Sequence, residues 1–267
     1  MTKKEIISKS DFIISFGTML SDNKEDVRDG IIESIARTNA KFTYMHPIDN
    51  IDLKLYYTQF IKYEVGSEEG ICALLLDTFV KDGNEDIKKY IDDLDLGYIS
   101  AESSAGEEEF EEAYSTYSKA KSKTLIIGDD LIENERIENI IKLLAIINKY
   151  TDFNLIVLND ELENKINSCM DSNLEEIEEL KSFNGTLVYK LIEDNNNNEL
   201  IASQTFANIA KVANKDEIYI NSKDEKIKRI LKIDDKLNGT IAILKVKNDE
   251  DILTGYRYKQ VKIEKVD

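Results

Sequence analysis

Two stretches of this chain run through the same order of apolar and polar positions. The first opens at Ser10 and reads SDFIISFGTMLSDNKEDVRDGIIESIARTNAKFTYMHPID; the second opens at Ser122 and reads SKTLIIGDDLIENERIENIIKLLAIINKYTDFNLIVLND. Each begins with a short, β-branched-rich apolar run, as expected of a strand covered on both faces. Each run stops at a glycine, Gly17 or Gly128, and each glycine is followed three residues later by a leucine, Leu20 or Leu131. An apolar stripe comes next: Val27, Ile31, Ile32 and Ile35 in the first copy, and Ile137, Ile140, Ile141, Leu144 and Ile147 in the second. That spacing is the face of a helix laid on a sheet. The helices are expected to begin near Asp22 to Glu25 and near Asn134, and second strands at KFTYM and NLIVL complete two βαβ units.

Between the copies, SEEGICALLLDTFV reads as a helix with Ser67 as its N-cap and acidic residues in its first turn. EDIKKYIDDL reads as a short helix, and SAGEEEFEEAYSTYSKAKS as another whose acidic start and basic end suit the helix dipole. Residues 97–108, rich in Ser, Gly and Glu, read as a seam. After the second copy, LEEIEELK has helical spacing, TLVYKLI reads as a strand and EDNNNNEL as an exposed turn; DEIYINSKDEKIKRIL suggests a strand followed by a helix. The tail offers two strands, TIAILKV and YRYKQVKI, with a turn at KNDEDILTG. Strands alternating with helices predict an α/β fold: two Rossmann-like, doubly wound and mostly parallel βαβ halves related by pseudo-symmetry, with a short β-rich C-terminal tail. The expected boundaries are 1–121, 122–232 and 233–267.

Charge narrows the partners. The 267 residues carry 35 Lys+Arg against 53 Asp+Glu, a formal net charge of -18, which opposes any surface built to attract phosphate backbones. Nucleic acid is therefore not expected. The longest apolar stretches, ICALLLDTFV and IIKLLAIINKY, are interrupted by Asp77 and Lys142 and fall short of the ~20 residues of a membrane span. MTKKEIISKSDF has no sustained apolar region before its first polar break, so a secretory signal is not expected; the expected location is cytoplasmic, with a peripheral position at the inner face of the cell membrane through partner subunits as the alternative. Cys72 and Cys169 stand alone, without a CxxC or a neighbouring His or Cys, and read as buried thiols rather than cluster or zinc ligands.

A strand, a glycine and a helix are also how a phosphate-cradling loop begins, so the glycine ends carry the candidate chemistry. A dinucleotide fingerprint needs G-x-G-x-x-G, so that backbone can touch the pyrophosphate. Here Thr18, Met19 and Leu20 follow Gly17, while Asp129 and Asp130 follow Gly128 and would repel an anion. A single glycine per loop is better explained as a turn needing a permissive backbone. His46, the only histidine, lies at a strand's carboxyl end where ligands of such folds gather, yet no GxSxG or identifiable partner accompanies it. Pro47 suffices to end that strand. The cleft candidates are thus Gly17, Thr18, His46 and Gly128, with no catalytic residue and no metal ligand assigned. The run EEEFEEAY is not a metal site by this reading, because successive helix positions point in different directions.

Taken together, DFIISFGTML…VRDGIIESIARTNAKFTYMHPID, YEVGSEEGICALLLD and LIIGDDLIENERIENIIKLLAIINKYTDFNLIVL resemble one family. It is the molybdopterin-oxidoreductase-like part of the large iron-sulfur subunit of bacterial NADH-quinone oxidoreductase, respiratory complex I. The resemblance covers about residues 10 to 80 and 122 to 158. QTFANIAKVANKD is similar to a family segment Q-E-G-T-F-x-N, with Thr205, Phe206 and Asn208 in place and Ser203 and Gln204 standing for its Glu and Gly. The resemblance implies a chain that starts inside the second, molybdenum-free region of such a subunit, either a piece of it or a shortened paralogue. Lacking cluster cysteines, it would not relay electrons and would serve as a scaffold in contact with other peripheral-arm subunits, without a cofactor of its own. The alternative is a module or enzyme holding a nucleotide or vestigial pterin between the halves, since the molybdopterin enzymes bind their cofactor between two such halves.

Overall fold

The computed structural model describes every residue except 170–172, 178, 194–197, 224, 248–251 and 267, and at position 22 the backbone alone. The contacts part into two compact units. Residues 1–18, 24–47 and 53–182 form the first, and 19–23, 48–52 and 183–267 the second. The two βαβ repeats share one sheet and so lie in one unit, and the longest piece of the second unit begins at Phe183.

In the first unit the elements are α1 (Lys3–Ile7), β1 (Phe12–Phe16), α2 (Glu25–Thr38), β2 (Lys41–Met45), β3 (Gln59–Ile61), α3 (Glu68–Phe79), α4 (Glu85–Asp92), α5 (Leu96–Ser103), α6 (Glu107–Tyr117), β4 (Lys123–Ile127), α7 (Ile137–Tyr150), β5 (Phe153–Val157) and α8 (Asp160–Ser168). All five strands are parallel, in the order β3-β2-β1-β4-β5. Every residue of β1 and β4 is buried, as suits their largely apolar runs, and Ser15, Lys123 and Thr124 are buried with the rest. Alternate residues Phe12, Ile14 and Phe16 of β1 and Leu125 and Ile127 of β4 join one core with α3, α6 and α7. The helix α3 is buried almost all round, so its apolar residues need no single stripe. Burying each such Leu or Ile side chain stabilises the unit by roughly 1.5–3 kcal/mol.

Local chemistry sets the helix ends. Asn84, Asp95 and Asn159 each accept a hydrogen bond from a first-turn backbone N–H, at 2.9, 3.0 and 2.9 Å, opening α4, α5 and α8. Asn39 closes α2 in the left-handed region, at φ 56°. Ser67 departs from expectation: it precedes α3, but its hydroxyl donates to the Glu64 carbonyl at 2.7 Å instead of capping the helix. The expected seam at 97–108 is largely the helix α5, with Ser103 and Ala105 buried. Among the described residues of 174–181 no helix forms.

The second unit contains β6 (Leu187–Ile192), β7 (Glu199–Ala202), α9 (Gln204–Ala210), β8 (Glu217–Asn221), β9 (Lys226–Ile233), β10 (Ile241–Val246), β11 (Tyr258–Gln260) and β12 (Lys262–Lys265). These strands form one mixed sheet, ordered β11-β6-β10-β7-β9-β8-β12. The end strands β11 and β12 are separated in the chain by Val261 alone, so the sheet must curl until its two edges meet. Val261 pins that junction: its N–H donates to the Thr186 carbonyl at 3.1 Å and its carbonyl accepts from Thr186 Oγ1 at 2.7 Å. Phe206 of α9 packs into the core with Val188, Leu200, Ile218, Leu231 and Leu244.

Three expectations are corrected here. The helix expected after DEIYIN is the strand β9, antiparallel to β8. YRYKQVKI is two strands rather than one. The strands expected at TLVYKLI and DEIYIN, placed with the second βαβ half, instead join those of the C-terminal tail in one curled sheet that begins at residue 187. The central residues of the EDNNNNEL and KNDEDILTG turns lie outside the described residues; of the first, Glu193 is buried and Glu199 and Leu200 belong to β7.

Candidate functional site

In an open parallel sheet, ligands gather beyond the carboxyl ends of the strands where the order reverses. Here that place is the junction of β1 and β4, whose register runs from Phe12↔Lys123 to Phe16↔Ile127. Gly17 and Gly128 follow immediately, so the sequence candidates do converge. What they form is a contact between two loops. The Gly128 N–H donates to the Phe16 carbonyl at 2.8 Å, and the Asp130 N–H donates to the Gly17 carbonyl at 3.1 Å.

The two glycines serve different needs. Gly17 adopts φ +68°, where a side chain is strained, and a Cβ there would also lie 2.9 Å from the Leu131 side chain. Gly128 has an ordinary φ of -87°, so a permissive backbone is not its reason. A Cβ on Gly128 would fall 1.9 Å from the Gly17 carbonyl oxygen and 2.4 Å from Thr18 Cβ. The second loop has a glycine because the first loop occupies the space. The leucine three residues beyond Gly128 is explained with it: Leu131 is fully buried over Gly17.

His46 has the partner that sequence reasoning did not find. Its Nε2 lies 3.2 Å from Asp130 Oδ2, its ring stacks on Tyr44 at 5.7 Å, and its backbone N–H donates to the Ile61 carbonyl at 3.3 Å. His46 is fully buried and Asp130 is 5% exposed. By its sequence position Asp130 is only a charge that repels phosphate; in the fold it is the partner of a buried ring. The missing signal is three-dimensional, because β2 and the β4 loop meet only once β1 pairs with both. Nearby, burial first and then the charges of Glu68 and Asp130 hold the Tyr63 hydroxyl well above its usual pKa, so it remains a neutral phenol.

A second buried polar group lies at the N-terminus of α3, where the helix dipole favours anions. Glu68 accepts from Asn134 Nδ2 at 2.8 Å. Glu69 receives Arg136 Nε at 3.1 Å on both oxygens and Asn139 Nδ2 at 2.7 Å. Arg136 reaches on to Glu175 at 3.2 Å. Both carboxylates, 1% and 2% exposed, are thus held by donors from α7 and the segment before it. Such satisfied networks rigidify a core. Burial also raises the Cys72 thiol well above its usual pKa, leaving it a small apolar filler. Among the described residues no group of three or more His, Cys, Asp or Glu side chains is placed to hold a metal ion. Also among them, no helix is long and apolar enough to cross a membrane.

No protein family and no curated protein matches the chain. Among solved structures it is similar to acetylene hydratase from Pelobacter acetylenicus, at 10% identity and a TM-score of 0.35. The match covers 46% of this chain and 20% of that one, so it spans a fifth of the enzyme's length.

Proposed function

We propose that the chain is a non-catalytic scaffold in contact with other peripheral-arm subunits, of the kind implied by its sequence resemblance to the molybdopterin-oxidoreductase-like region of the large iron-sulfur subunit of complex I. The observation that carries the non-catalytic part is the loop contact at Gly128. A phosphate or pterin cradle needs open space beside the β1 and β4 ends, and a Cβ on Gly128 would already be 1.9 Å from the Gly17 oxygen. The residues there do not fit such a group: Thr18, His46, Asp130 and Leu131 are all buried against protein. Buried and hydrogen-bonded, the His46–Asp130 pair braces β2 against the loop after β4. The respiratory assignment rests on the sequence resemblance alone.

Native mass spectrometry of the purified chain, with elemental analysis for molybdenum, iron and tungsten, tests the reading. A bare chain mass without metal is expected. A bound nucleotide or pterin would overturn it and make Gly17 and Gly128 the walls of an active site.

A further inference from the structure

Residues 173–177 lie beside α4 without forming a helix, and the core fixes their backbone. Tyr90 Oη and Asn139 Nδ2 both donate to the Glu175 carbonyl, at 3.0 and 3.1 Å. Asn139 Oδ1 accepts from the Glu175 N–H at 3.0 Å, and Lys142 Nζ holds its carboxylate at 2.7 Å. Between this segment and α4 open two hollows of about 350 and 560 Å³, which share Tyr90, Asp93 and Leu174 and so make one groove. Its base is apolar: Ile99 and Ile146 are buried beneath it. Tyr90, Leu94, Tyr98, Leu174 and Ile177 are only partly covered by the core. Among the described lining residues its rim carries Asp86, Asp93, Asp95 and Glu176 against Lys89, while Lys142 and Arg136 behind the segment are engaged by Glu175.

A preformed trough with an apolar base and a predominantly acidic rim selects its occupant by charge. The first unit, residues 1–18, 24–47 and 53–182, holds 36 Asp+Glu against 20 Lys+Arg, so a second copy presenting this unit would be repelled. We infer that the groove docks a lysine- or arginine-rich segment of a partner protein whose apolar side chains enter between α4 and residues 173–177. The inference rests on the scaffold reading for there being a protein partner; the groove itself does not.

The test uses a synthetic 14-residue amphipathic peptide of leucine and lysine, its leucine and glutamate counterpart, and methyl NMR of the full chain. The lysine peptide is expected to shift the methyl signals of Ile87, Leu94, Leu174 and Ile177, and the glutamate peptide to leave them unmoved. Asp86→Lys with Asp93→Lys, both at exposed positions, should weaken binding at least tenfold. No binding, equal binding of both peptides, shifts spread over the whole acidic surface, or an unchanged affinity in the double variant would each overturn the inference. So would a dimer of the chain that the double variant abolishes. A chain that carries a pterin by mass yet passes this test loses the scaffold reading and keeps the groove, and the opposite results do the reverse.

Discussion

The sheet of the first unit is open and wholly parallel, whereas that of the second is mixed and curled until its ends are one residue apart. Both must satisfy a ladder of backbone groups, and they pass the difficulty to different places. The parallel sheet buries its strands under helices and brings its loops closest at a glycine where those after β1 and β4 meet. The curled sheet brings its two end strands together at Val261, where a free edge would otherwise invite mispairing. Its critical point is the strand junction at Val261. Charge divides in the same way: the second unit holds 15 Lys+Arg and 17 Asp+Glu, so nearly all of the chain's net acidity belongs to the first unit.

If the loop contact is the first unit's tightest point, Gly128→Ala should be the most damaging change. Its Cβ meets backbone at 1.9 Å, which no rotamer change relieves, and a loss of about 4 kcal/mol or more is expected by urea unfolding. Gly17→Val should follow, at about 2–4 kcal/mol. It combines a left-handed backbone with a flexible Leu131 side chain that can give way. If Gly17→Val proved fully stable, the turn account of that glycine would fail. If Gly128→Ala cost no more than Gly17→Val, the loops would have room to part and the scaffold reading would lose its main support.

Val261→Pro sharpens the other side of the comparison. It removes the N–H that donates to the Thr186 carbonyl and should cost about 1–3 kcal/mol. Hydrogen exchange should show the loss in β6, β8, β11 and β12. Protection lost in β1 and β4 alone would contradict closure as the second unit's keystone.

The two units were also unequally legible in the sequence. β1, β2, β4, β5, α2 and α7 follow from apolar periodicity, since parallel strands and the helices over them leave strong, separable signals. β3 was missed because only three residues pair and two of them are half-exposed. The segment 174–181 spaces Leu174, Ile177 and Leu180 like a helix, but Asn139, Tyr90 and Tyr98 take its backbone groups, and those partners lie at least 36 residues away. In β9, Ile227, Ile230 and Leu231 mimic a helical stripe. Paired with β8, the strand turns Ile227, Leu231 and Ile233 toward the core and leaves Ile230 on the outside, 37% exposed. At the candidate site the four residues were found, but their meaning was not, because Gly128's role depends on where Gly17 sits and His46's on where Asp130 sits.

The smallest expected effect concerns Asp77, the charge that interrupts the apolar run of α3. Burial raises its carboxyl above the usual value of 3.8, while Lys81 acts in the opposite direction. A carboxyl raised in the folded state is one the native chain prefers protonated. Its ionisation therefore costs stability as pH rises through the folded value, and the cost is absent below 3.8, where both states are protonated. Asp77→Asn should accordingly be more stable than the parent at pH 7, with the difference vanishing below pH 3.8. Because the group is half-exposed, solvent screening limits the gain to about 0.5 kcal/mol or less. The Lys81 ammonium keeps a bond in the variant, since it reaches the Asp77 backbone carbonyl at 2.8 Å rather than the carboxylate. A variant less stable at pH 7 would mean that attraction to Lys81 outweighs burial, and that the acidic first unit gains from this charge even inside its most buried helix.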